Sequence, residues 1–168
     1  MIEYTVQVDE NATRWYLNGK LHREDGPAYV GANGTKLWYL NGELHREDGP
    51  AYVGASGTKE WFINGERHRE DGPAIEYADG YKEWWVNGKR HREDGPAIVD
   101  AYGTKMWYFN GEFHREDGPA VEDADGSKAW YFNGEELTEE EFNARTTTKE
   151  LTVGELEKLL EYKIKVVK

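Results

Sequence analysis

Every 23 residues the chain repeats one pattern: Trp, a second aromatic residue, one apolar residue, then Asn-Gly. The anchors are Trp15, Trp38, Trp61, Trp84, Trp107 and Trp130, with Asn-Gly pairs at 18–19, 41–42, 64–65, 87–88, 110–111 and 133–134. A fixed period of this length limits the fold to stacked supersecondary units, because 23 residues cannot bury a hydrophobic face alone and each unit must lean on its neighbours. Between the anchors the heptapeptide His-Arg-Glu-Asp-Gly-Pro-Ala occurs five times without change, starting at His22, His45, His68, His91 and His114.

Asn-Gly flanked by hydrophobic residues is a strong short-range hairpin signal, and Gly34, Gly57, Gly80, Gly103 and Gly126 mark a second turn in each unit. The unit therefore reads as a small β-meander. Its first strand follows the proline, as at Ala28-Tyr29-Val30, and its second runs Lys36-Leu37-Trp38-Tyr39-Leu40 into the Asn-Gly turn. A return segment, Glu43-Leu44-His45-Arg46, completes it, and no helical period fits these stretches. The expected fold is an all-β repeat array of consecutive hairpins, an elongated twisted ribbon or solenoid on the order of 60 Å long at about 4.8 Å per strand.

The chain divides into three parts. Residues 1–14 supply an N-terminal capping strand, Ile2 to Val8, in the first-strand position of a degenerate unit; residues 15–136 hold the repeats; residues 137–168 form a small C-terminal helix-strand cap. Past Gly134, Leu137 stands where histidine is expected, and Thr138-Glu139-Glu140-Glu141 forms a capping box. A second such box, Thr152-Val153-Gly154-Glu155, predicts a short amphipathic helix through Leu156, Leu159 and Leu160, and Tyr162 to Val167 alternates like a strand. Both ends are expected to be closed, as terminal solenoid units protect the last sheet edge.

Leu, Ile, Val and Phe make up only 30 of the 168 residues, so seven Trp and eleven Tyr must supply the buried area. Trp38 and its equivalents are thus expected in a thin aromatic core. The alternate positions, Tyr16, Tyr39, Phe62, Trp85, Tyr108 and Tyr131, form either a second packed layer or an exposed stripe able to bind.

The absence of cysteine removes disulfides and thiolate chemistry. No segment reads as a signal peptide or membrane span, which leaves the cytoplasm as the expected location. A net charge of −12 disfavours direct binding to nucleic acid or an anionic membrane and suits a basic partner. Five identical polar copies are the reverse of an asymmetric catalytic pocket, and phosphate-cradling, Ser-His-Asp and metalloprotease motifs are missing, so no catalytic residue, metal or cofactor is assigned.

The units differ from one another at Lys20, Glu43, Glu66, Lys89 and Glu112, and at Leu21, Leu44, Arg67, Arg90 and Phe113, so recent duplication does not explain the invariant heptapeptide. Asp-Gly-Pro is turn chemistry; His-Arg-Glu exceeds what a turn requires. One reading is a structural ladder of Arg–carboxylate pairs and histidines tied to backbone or Glu. The other is a row of identical polar sites for an extended partner, carried by His45, Arg46, Glu47, His68, Arg69, Glu70, His91, Arg92 and Glu93, with Tyr39, Phe62, Trp85 and Tyr108 on the aromatic face. Metal binding through His22, Glu24 and Asp25 and their copies is a third, resting on one histidine per site.

Asn87-Gly88-Lys89-Arg90-His91, preceded by aromatic residues and following Ala78-Asp79-Gly80 within a 23-residue period, resembles the MORN repeat family. The resemblance covers roughly residues 5–136; the glycine that normally follows the histidine is replaced by Arg-Glu-Asp before Gly-Pro. It implies a non-catalytic hairpin array that binds proteins, with lipid binding claimed for some members. Arrays of this heptapeptide, ending in a segment similar to 150–167, also look like bacteriophage and prophage reading frames, which implies an acidic protein that occludes a basic surface of a host defence component in the host cytoplasm. A separate likeness, of Lys-x-Trp-Tyr-Phe-Asn-Gly to choline- and glucan-binding repeats, gives carbohydrate or cell-wall binding, or a small ligand, as the alternative. The mixed charges of 137–168 suit an interface or a homo-oligomer element.

Overall fold

Each Asn-Gly pair forms a tight turn in which both residues take positive φ, 48–52° at Asn and 70–92° at Gly. That is the backbone of a type I′ hairpin turn, whose twist matches the flanking strands and which Asn followed by Gly adopts at least cost. The resulting hairpins, such as Tyr39–Leu40 with Glu43–Leu44 and Trp85–Val86 with Lys89–Arg90, form one row. The second turn, with Gly34, Gly57, Gly80, Gly103 and Gly126 at φ 90–102°, closes the other hairpin of each unit, as in Tyr29–Gly31 with Lys36–Leu37.

The computed structural model describes residues 3–146 and, beyond them, the helical positions Val153, Leu156 and Lys158. Within these residues the second kind of hairpin pairs with its copies on both sides, so one antiparallel sheet runs from Thr5–Val8 to Glu135–Leu137. Every unit adds two strands to it.

The strand expected over Lys36–Leu40 is interrupted at its Trp. Trp38 donates its N–H to Ala51 O of the next unit, 2.8 Å, and its carbonyl accepts the His45 N–H, 3.0 Å; the same two bonds recur at Trp61, Trp84 and Trp107. The chain thus turns a corner at each Trp, leaving the long sheet and entering the row of Asn-Gly hairpins. At the two ends, where the flanking segment is not a repeat, the strand runs straight through, over Ala12–Leu17 and Lys128–Phe132.

This corner corrects the expected aromatic core. All seven Trp are half-buried, and among the described residues the completely covered side chains are the five heptapeptide alanines, Ala28, Ala51, Ala74, Ala97 and Ala120. Each alanine lies where the preceding unit's Trp backbone crosses it, with its carbonyl bonded to that Trp N–H at 2.8–2.9 Å, which leaves room for a methyl group. The ribbon is too thin to enclose an indole; the rings are instead covered on one side by arginine.

The two ends differ. Helix Glu139–Thr146 packs on the last hairpin through buried Phe142, and Arg145 reaches Glu135 at 2.7 Å. Its capping box forms as read, with Glu141 N–H donating to Thr138 Oγ1 at 3.2 Å and Thr138 N–H donating to Glu141 Oε2 at 2.9 Å. The strand Thr5–Val8 pairs with Ala12–Leu17 in the degenerate-unit position, but all four of its residues are exposed, so this end lacks a comparable cover among the described residues. The predicted segments 152–160 and 162–167 lie outside the described residues, apart from the three helical positions.

Replacing Ala74 by leucine is expected to destabilise the protein by about 1–3 kcal/mol through overpacking. Replacing Ala78, exposed in the neighbouring turn, by leucine is expected to stay within about 0.5 kcal/mol. Urea denaturation of the two variants provides the comparison.

Candidate functional site

The invariant heptapeptide begins as the chain leaves the Asn-Gly hairpin, and each of its side chains has a definite position. Histidine Nδ1 accepts the backbone N–H of the next unit's Asn: Asn41 to His22, Asn64 to His45, Asn87 to His68, Asn110 to His91 and Asn133 to His114, at 3.0–3.2 Å. In four of these pairs Nδ1 also lies 2.9–3.0 Å from the Asn Oδ1, and Nε2 faces the Glu two residues on at 3.7–3.8 Å. The histidine ties one unit's turn to the next.

Arginine folds back over its own unit. The guanidinium carbon lies 3.9–4.3 Å from the centre of the Trp ring in each of the five pairs, Arg23 on Trp15 through Arg115 on Trp107. Its Nε donates to the Asp two residues later at 2.7–2.8 Å, and Nη1 approaches the proline carbonyl. Arg69 and Arg115 also reach Glu76 and Glu122, at 3.0 and 2.8 Å. The glycine between Asp and Pro is required by this clamp: a Cβ at Gly72 would stand 2.9 Å from Arg69 Cζ. The hydrogen bond from each arginine holds Asp25, Asp48, Asp71, Asp94 and Asp117 below the usual aspartate range.

The glutamate between them is the unused member. Glu47, Glu70, Glu93 and Glu116 have side chains 78–86% exposed, and their nearest cationic or histidine neighbour is the His Nε2. At two successive junctions the loops stand apart as open notches. One cleft of about 860 Å³ lies between loops 92–95 and 114–117 and is floored by Trp107, Phe109 and Phe132. A second, of about 790 Å³, lies one repeat earlier between loops 69–73 and 91–94, over Trp84 and Val86. His91, Phe109, His114 and Phe132 form a run of tilted rings along the floor, with centres 4.7, 5.8 and 4.8 Å apart.

Tyr39, Phe62, Trp85 and Tyr108 point to the opposite face and are half-buried there. They interleave with the variable residues of the return strands. Arg67 stands 5.4 Å from Phe62 and 5.5 Å from Trp85, Arg90 stands 5.0 Å from Trp85 and 5.5 Å from Tyr108, and Phe113 stacks on Tyr108 and Tyr131 at 4.2 and 4.9 Å. Glu83, buried on this face, receives Trp85 Nε1 at 2.7 Å, Arg90 Nε at 2.9 Å and the Tyr81 hydroxyl. Burial pushes its carboxyl up, but these three donors outweigh burial and hold it below the usual range; the Tyr81 phenol is driven up by burial and by this carboxylate. The row is a packed layer.

The predicted residues therefore fall into three groups: His45, His68, His91, Arg46, Arg69 and Arg92 are engaged by the fold, Glu47, Glu70 and Glu93 project into solvent, and the aromatic four lie half-buried on the far face. The apolar floor residues Val86, Phe109 and Phe132 were not singled out by the sequence; their signal was the apolar position just before each Asn-Gly. Among the described residues no three His, Asp or Glu side chains gather as metal ligands. No protein-family model matches the chain, and no curated protein shows significant similarity to it.

His91→Ala is expected to cost about 0.5–1.5 kcal/mol, because it removes the acceptor of the Asn110 N–H, whereas Glu93→Gln is expected to stay within about 0.5 kcal/mol. Urea midpoints measure both. The arginine-bonded aspartates also set a pH dependence. Their folded-state pKa values lie below the unfolded value, so the stability they add is present above pH about 4 and is lost as pH falls through their folded range. A lower urea midpoint at pH 3 than at pH 7 is expected, with a smaller difference in Asp71→Asn.

Proposed function

We propose that this chain is a non-enzymatic interaction scaffold that lays its row of Arg-Glu-Asp-Gly loops along a basic surface of a protein partner. The observation that carries the reading is the pair of equivalent clefts one repeat apart, each bounded by two loops and bearing exposed glutamates over an apolar floor. Within each loop the aspartate neutralises the arginine, so the glutamate leaves a net charge of −1, repeated along one face. A row of like charges attracts a basic surface over a distance set by salt and speeds its encounter.

The resemblance to MORN repeats supports a role in binding over a role in catalysis. The likeness to phage and prophage reading frames supports the sharper form, an acidic decoy that occludes a basic surface of a host defence protein in the host cytoplasm. Among the described residues no helix is long and apolar enough to cross a membrane.

Affinity capture from bacterial lysate tests the role, comparing the intact protein with the Glu70→Gln, Glu93→Gln, Glu116→Gln triple variant. The intact protein is expected to retain a basic protein in a salt-sensitive manner, and the variant to retain about tenfold less. Equal retention by the variant would move the interface to the Tyr39 face or to residues 137–168. Retention of nothing by either would favour glycans or small ligands.

A further inference from the structure

The spacing of the clefts restricts the conformation of what they bind. Each repeat contributes two strands to the long sheet, so equivalent points advance by about 9.6 Å per unit at about 4.8 Å per strand. A polyproline II segment rises about 3.1 Å per residue with three residues per turn, which returns a side chain to the same face every 9.3 Å or so. An extended β-strand returns side chains to one face about every 6.7 Å, so it cannot place one at each repeat and comes near register only at every second repeat, where six residues span about 20 Å against about 19 Å. An α-helix offers its seventh residue after about 10.5 Å and falls out of step by nearly 1 Å per repeat, against about 0.3 Å for polyproline II.

The walls of each cleft set the chemistry. Glu93 and Glu116 stand exposed at the rim, while the aspartates beside them are committed to Arg92 and Arg115. The floor beneath is apolar and aromatic. A long cationic side chain satisfies both parts, with its methylene stem along the rings and its charged head at the free carboxylate.

The first loop shows that the position accepts a side chain. Tyr4 lies over His22 with ring centres 6.1 Å apart, and its hydroxyl accepts the Glu24 N–H at 3.4 Å. His22 is 4% exposed and its Nε2 is buried without a hydrogen-bond partner, whereas the four later histidines have side chains 14–21% exposed, and His91 and His114 among them line the open clefts.

We propose that the clefts between successive loops receive the cationic side chains of an extended, polyproline-II-like segment of the protein partner, with one Lys or Arg at every third residue and one cleft per repeat. This rests on the interaction-scaffold reading above and adds to it the conformation and register of the bound segment.

The test is fluorescence anisotropy on the full chain near physiological salt with two labelled twelve-residue peptides of one composition. One repeats Pro-Pro-Lys; the other gathers the same four lysines at one end. The in-register peptide is expected to bind about tenfold or more tightly than the blocked one, and the triple Gln variant to bring the two level. Equal affinity for both peptides would overturn the register. Failure of both peptides to bind, while glutamate-dependent capture of a basic protein persists, would also overturn the register and leave the scaffold reading standing. Loss of that capture would remove the scaffold reading itself. The substituted glutamates are exposed and hold no other unit, and circular dichroism checks that the variant stays folded.

Discussion

The array depends on backbone hydrogen bonds that pass from unit to unit, because strands two residues long cannot hold themselves together. Three such bonds recur at each junction. The Trp N–H meets the next unit's Ala carbonyl, the Arg N–H meets the next unit's second aromatic carbonyl, and the next unit's Asn-Gly glycine N–H meets the residue before the histidine. The histidine ring adds a fourth by accepting the Asn N–H. A unit removed from this setting would expose its ladder groups to water, which is why stability in such an array is a nearest-neighbour property.

The same constraint explains why charge does the work of a core. With only alanine fully covered among the described residues, the indoles lie at the surface on one side, and arginine closes over them while aspartate fixes the arginine. The cation–π contact and the charge-assisted bond strengthen each other, since holding the guanidinium in one place serves both. Structure therefore consumes the His, Arg and Asp of the heptapeptide. Glutamate remains, fixed in position by rigid neighbours but free in its chemistry, and the proposed interface is built on that residue.

Much of this was legible from residues alone. Asn-Gly gave the turns and their left-handed backbone, the 23-residue period gave the stacking, and Thr138 with Glu141 gave the helix start, because these are local effects that a few adjacent residues decide. The break in the strand at Trp38 was not legible: Lys-Leu-Trp-Tyr-Leu alternates as a continuous strand would, and only the arrival of Ala51 from the next unit diverts the Trp N–H. Nor was the Trp environment, since abundance of large rings predicts burial only when a chain is thick enough to enclose them.

Sequence by itself determined the repeat, its hairpins, the acidic balance and the presence of an invariant polar segment. Tertiary structure decided which members of that segment are spent on holding units together and which face solvent. The physical reason is that partners in this fold lie about 19 residues apart across a unit boundary, as His45 and Asn64 do, and pairing across that distance is set by how units stack. Local preference has no voice in it. The Tyr39 row was settled the same way: alternation placed it on one face, but whether that face was bare or filled depended on Arg67, Arg90 and Phe113 arriving from neighbouring strands.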